Sequence, residues 1–94
     1  MAKLTEFWGR ECPHCAAMAP LVERLKKEEN VEIDQLEVWH DEKNQEEMRK
    51  HEALFNQACG GFMGTPAFLN SETGEALCGE QDYAALKKWA TKKK

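Results

Sequence analysis

Two cysteines, Cys12 and Cys15, stand where an alternating, aromatic-bearing stretch, Lys3 to Trp8 (KLTEFW), gives way to a run with apolar residues at helical spacing. A proline and a histidine separate them in the motif WGRECPHC. A C-x-x-C pair is either half of a metal site or a redox couple, and both readings need the two sulfurs to meet across a single turn. The flanking pattern supplies that turn. Alternation predicts a strand over Lys3–Trp8. Pro13 is tolerated in a helix's first turn, and Met18, Leu21, Val22 and Leu25 follow at helical spacing, predicting a helix from Pro13 to about Glu28. Pro20 lies inside it, removes a backbone donor and predicts a kink.

Further along, Val31 to Trp39 (VEIDQLEVW) contains a second strand, with Val31 and Ile33 alternating against Glu32 and Asp34. Asn44 to Cys59 reads as one polar helix with Met48, Leu54 and Phe55 among its apolar positions, terminated by Gly60-Gly61. Pro66–Asn70 and Glu75–Gly79 flank SETG and read as a hairpin. Asp82 has the chemistry of an N-cap for a last helix carrying Tyr83, Leu86 and Trp89 on one face. The order is β-α-β-α-β-β-α. A chain of 94 residues is expected to form one domain over 1–94 and to bury about 60–65% of its unfolded surface, with residues 91–94 as a loose lysine-rich tail.

Charge and cysteine usage then narrow the chemistry. The net charge is −4 with 32% charged residues, so no broad basic surface for nucleic acid is expected. No stretch approaches membrane-spanning length, and MAKLTEFW has no export signal, so the expected location is the cytoplasm. Reducing conditions there disfavour structural disulfides, so the four cysteines read as redox or metal chemistry before staples. At a helix N-terminus, unpaired N–H groups and the positive end of the dipole favour thiolate over thiol, which lowers the expected pKa of Cys12. Cys15, one turn further in, is placed to resolve a mixed disulfide formed at Cys12. His14 could lower the Cys12 pKa further when protonated or donating a hydrogen bond. The other reading is a zinc or iron–sulfur module, with Cys59, Cys78 or a histidine completing the ligands of Cys12 and Cys15. Otherwise Cys78 is a small strand residue, Cys59 ends a helix, and His40 and His51 are surface residues.

The run FWGRECPHCAAMAPLVERL resembles the active-site segment of thioredoxins, with Phe7-Trp8, the C-x-x-C of Cys12 and Cys15, and a proline, Pro20, five residues after the second cysteine. Gly64-Thr65-Pro66 resembles the family's loop whose proline follows a cis peptide bond and faces the active-site sulfurs. The resemblance implies a thioredoxin-like α/β fold, a four-stranded mixed sheet flanked by helices, and thiol–disulfide exchange without an organic cofactor. Cys12, Cys15, Pro13 and His14 would form the catalytic motif. Glu6, at the spacing of the family's buried acid, would accept the Cys15 proton, and Trp8, Gly64, Thr65 and Pro66 would line the substrate groove beside Phe62 and Met63. Protein disulfides would be the substrates, electrons would come from a thioredoxin-reductase-type donor or from glutathione, and a monomer is expected. This chain departs from thioredoxins in three places. Pro13-His14 is the dipeptide of DsbA-type oxidants, whose potential lies ~150 mV from that of thioredoxin. Glu11 replaces a tryptophan and opposes thiolate formation at Cys12. The amino-terminal strand and helix of full-length thioredoxins are missing, which leaves a core of glutaredoxin size, and Gly79 with Asp82 resembles the end of the glutaredoxin glutathione site.

Overall fold

A computed structural model describes residues 3–61 and 64–92. The elements are β1 (Leu4–Trp8), α1 (Pro13–Glu28), β2 (Ile33–Glu37), α2 (Glu42–Arg49), α3 (Glu52–Cys59), β3 (Ala67–Asn70), β4 (Glu75–Cys78) and α4 (Tyr83–Thr91). They form a mixed sheet in the order β2-β1-β3-β4, with β1 and β2 parallel and the other neighbours antiparallel. The parallel pair needs a crossover, and α1 provides it.

Strand alternation divides the core in two. Leu4, Ile33 and Phe68 join Met18, Val22 and Leu25 of α1 and Leu86, Trp89 and Ala90 of α4 in one cluster. Phe7, Ala67 and Leu69 join Val38, Met48 of α2 and Phe55 of α3 in the other. Edge-to-face ring pairs centre both, Phe68 with Trp89 and Phe7 with Phe55. Fully burying a side chain of this kind stabilises by about 1.5–3 kcal/mol. Asn70 is fully buried between the layers; its Nδ2 donates to the Trp89 carbonyl, and its Oδ1 accepts from the Glu72 and Thr73 amides of the β3–β4 turn.

Two expectations change. The helix over Asn44–Cys59 is two helices. Asp41 caps α2 by accepting from the Asn44 amide, His51 donates its backbone N–H three residues back to Met48, and α3 restarts at Glu52. A straight helix over residues 42–59 would run about 27 Å, well beyond the ~17 Å of a five-residue strand, and the break lets Met48 and Phe55 both reach the sheet. As expected, α1 runs from Pro13 through Pro20 to Glu28 as one element, with Pro20 on its exposed side, where the carbonyl that loses its donor can meet water. Two residues assigned to the loose tail are ordered: Thr91 closes α4, and Lys92 caps it and pairs with Glu75. Lys93 and Lys94 lie outside the described residues. The starts of α1 and α4 and the turn after β3 are as the residues predict, and Gly60 ends α3 at φ 82°, a left-handed conformation that glycine adopts without a Cβ clash.

Candidate functional site

β1 ends at Trp8, and the Cys12 amide donates back to the Gly9 carbonyl (3.1 Å), turning the chain into α1. Cys12 is the N-cap: its Sγ accepts from the Cys15 amide at 3.2 Å, so the sulfur does what a serine or aspartate oxygen does at other helix starts. The loop before β3 closes over it. Thr65 donates its hydroxyl to Cys12 Sγ (3.5 Å), and the Cys12 thiol reaches the Thr65 carbonyl (3.7 Å). The Thr65–Pro66 peptide bond is cis, and the Pro66 carbonyl accepts from the Gly79 amide (2.8 Å). Both motif cysteines are free thiols and 5% exposed.

The surroundings separate the two sulfurs. Burial pushes the Cys12 thiol up, but hydrogen bonds from Cys15, the Thr65 hydroxyl and the Cys15 and His14 amides outweigh it and hold Cys12 below the ordinary thiol range. Cys15 is pushed up to about 11, first by burial and then by its hydrogen bond to Cys12. The setting therefore favours the anion at the outer sulfur and the protonated thiol at the inner one. The two carboxyl and histidine neighbours behave differently from expectation. The His14 ring pairs with Glu80, so its help to Cys12 comes from its backbone N–H. Glu11, expected to oppose the thiolate, is paired with His40 at 2.6 Å.

Behind the sulfurs lies a cavity of about 190 Å³ lined by Glu6, Trp8, Arg10, Cys12, Cys15 and Gln35 among others. Glu6 is 2% exposed and accepts from Gln35 Nε2 at 3.0 Å; the two are register partners on the parallel strands β1 and β2. Burial raises its pKa, opposed by the Gln35 hydrogen bond and Lys26. Trp8 lines this inner cavity, and its Nε1 is buried without a protein acceptor among the described residues. Pro13 stands exposed beside the motif. Gly64 and Thr65 line a separate hollow of about 390 Å³ with Trp39, Met48 and Arg49. Phe62 and Met63, expected beside the groove, lie outside the described residues.

Two features were not foreseen. Cys59 and Cys78 form a disulfide with Cα atoms 5.3 Å apart, joining the end of α3 to the end of β4, so they are staples after all. Trp39, just past β2, is 46% exposed and donates from Nε1 to Thr65 Oγ1 (3.3 Å). Only pairing across the fold brings either about, and the one sequence hint for Trp39 is an aromatic residue at a polar strand end.

The strand order, the crossover helix and the cysteine-capped α1 define a thioredoxin-like fold. Among solved structures, the glutaredoxin grx-1 from Archaeoglobus fulgidus superposes with a TM-score of 0.66 at 17% identity, covering 98% of this chain and 89% of that chain. No family model and no curated protein sequence matches the chain. Among the described residues no helix is long and apolar enough to cross a membrane.

Proposed function

We propose that the chain is a thiol–disulfide oxidoreductase acting on protein disulfides. The observation that carries this reading is the unequal setting of the two sulfurs: Cys12 caps a helix and collects donors, while Cys15 sits deeper, beside the Glu6 cavity. The Cys12 thiolate attacks one sulfur of a substrate disulfide, forming a Cys12–substrate bond and releasing the other substrate sulfur as a thiolate. Cys15 then gives its proton to the Glu6 carboxylate across the cavity and attacks Cys12 Sγ. The second substrate thiolate leaves, and a Cys12–Cys15 disulfide holds the oxidation equivalent. Two electrons have passed from the two thiols to the substrate; a reductase-type dithiol or two glutathione molecules return them, and run backward the same steps oxidise a dithiol. Pro13 and His14 shape the motif, Gly64 and Thr65 line the groove, and Trp8 in the inner cavity and the fully buried Pro66 support it from behind. An extended substrate segment would pair with the backbone beside Thr65, where the carbonyl now engaged by Cys12 is available to it. The reading includes a cytoplasmic monomer without an organic cofactor, and cytoplasmic residence requires the Cys59–Cys78 bond to withstand the glutathione pool.

The metal-binding reading has only Cys12 and Cys15 as free cysteine ligands among the described residues. Cys59 and Cys78 are bonded to each other, His14 and His40 are paired with carboxylates, and no cluster of three potential ligands forms among the described residues. The deciding experiment is a trap. Cys15→Ser is expected to accumulate a mixed disulfide with a protein substrate through Cys12, identified by peptide mapping. An adduct on Cys15 in the reciprocal variant Cys12→Ser, or normal turnover by Cys15→Ser, would sink the assignment.

A further inference from the structure

Trp39 is the exposed large hydrophobic residue among those described, and it is held in place by contacts that core packing does not explain. Its ring lies against the Gly9 backbone so closely that a Cβ on Gly9 would stand 2.3 Å from the indole. Its amide donates to the Glu37 carboxylate (3.1 Å), which also accepts from the Arg10 and His40 amides (each 2.9 Å), tying the loop after β2 to the loop before Cys12. From that anchored position Nε1 reaches Thr65 Oγ1 at 3.3 Å, and Thr65 Oγ1 stands 3.5 Å from Cys12 Sγ.

We propose that Trp39 is a positioning residue that aims the Thr65 hydroxyl at Cys12, forming a two-step hydrogen-bond relay from the indole to the nucleophilic sulfur. The chemistry of the donors dictates the direction. An indole N–H only donates, so Thr65 Oγ1 is the acceptor in the first step and its single proton is left for the sulfur in the second. Without the indole, the hydroxyl can rotate toward water or another acceptor. Thr65 then serves both protonation states of Cys12: its carbonyl accepts from the thiol, and its hydroxyl donates to the thiolate. A hydrogen bond to a charged acceptor is roughly twice as strong as a neutral one, and donors in series polarise each other. The lowered Cys12 pKa, to which the Thr65 hydroxyl contributes, agrees with this arrangement.

The inference rests on Cys12 acting as a thiolate, as proposed above, and its test reads acidity independently of turnover. Thiolate absorbance is titrated in the full chain, in Trp39→Phe, in Thr65→Val and in the double variant. Glu6, Arg10, Glu11, His14 and Cys15 on β1, its loop and α1, Glu37 at the end of β2, His40 after it, Arg49 at the end of α2, and Glu80 after β4 are the charged or titratable groups around the relay, and all stay unchanged. Each single variant is expected to lower the Cys12 acid dissociation constant about three- to tenfold, and the double variant no more than the larger single. Gly9→Ala, which pushes the ring away and keeps its N–H, should shift the midpoint in the same direction. An unmoved midpoint in Trp39→Phe, or additive shifts in the double variant, overturns the relay. Failure of the wild type to exchange disulfides, with the coupling intact, would overturn the proposed function alone.

Discussion

The chain holds two cysteine pairs that share chemistry and little else. Cys12 and Cys15 lie on one helical turn and remain free; Cys12 faces two donors, the Cys15 amide and the Thr65 hydroxyl, and the Glu6 carboxyl lines the cavity behind the pair. Cys59 and Cys78 are 19 residues apart and bonded to each other, and Cys59 packs against the apolar cluster of Phe7, Phe55 and Leu69. Burial does not separate the pairs, because Cys12 and Cys15 are 5% exposed while Cys59 and Cys78 are half-buried; a thiol gains reactivity where donors stabilise its anion, and a sulfur already bonded to a partner has no anion to stabilise. The difference therefore comes from what surrounds each sulfur and not from the number of cysteines.

The sharpest way to break this comparison is to exchange the consequences. Cys12→Ser is expected to lower protein-disulfide exchange at least about a thousandfold, the scale on which removing a nucleophile acts. The double variant Cys59→Ala/Cys78→Ala should stay within a fewfold of the wild type in the same assay. Comparable losses from both pairs would mean that the second disulfide takes part in turnover.

Stability should reverse the ranking. A cross-link closing a loop of this length restricts the unfolded chain by about 3 kcal/mol, so Cys59→Ala/Cys78→Ala should lose roughly that amount in urea unfolding, whereas Cys12→Ser should lose little. An unchanged midpoint for the double variant would mean that α3 and β4 need no staple.

The smallest effect sharpens the picture of the free pair. Glu6 has its folded pKa raised by burial, so the native state binds this proton more tightly than the unfolded chain. Its contribution to stability is present below the ordinary carboxylate range and is lost as pH rises through the raised folded value; above that, a buried carboxylate weighs on the fold. Glu6→Gln keeps an acceptor for Gln35 and removes that charge. It should stabilise the protein on the order of 1 kcal/mol at neutral pH, show no gain below pH ~4, and slow resolution by Cys15. Equal stability changes at both pH values would show that Glu6 does not titrate as its burial implies.

Legibility in the sequence follows the range of each interaction. Pro13 at the start of α1, Asp82 before α4, Gly60 after α3 and the C-x-x-C itself act on neighbours within a turn, and each could be read from adjacent residues. The split between α2 and α3 could not, because Lys50 and His51 do not break a helix by propensity; the sheet beneath them decides, by requiring Met48 and Phe55 together. Gln35 meets Glu6 because β1 and β2 pair in parallel at that register, a relation no local pattern encodes. Thr65 reaches Cys12 across 53 positions, Trp39 reaches Thr65 across 26, and Cys59 reaches Cys78 only where the end of α3 meets the edge strand β4. Residue type and local spacing determined that two cysteines would share the first turn of a helix. Which groups surround it, and which cysteines escape its chemistry, depended on strand register and helix packing, since those alone bring distant side chains within hydrogen-bonding or bonding distance.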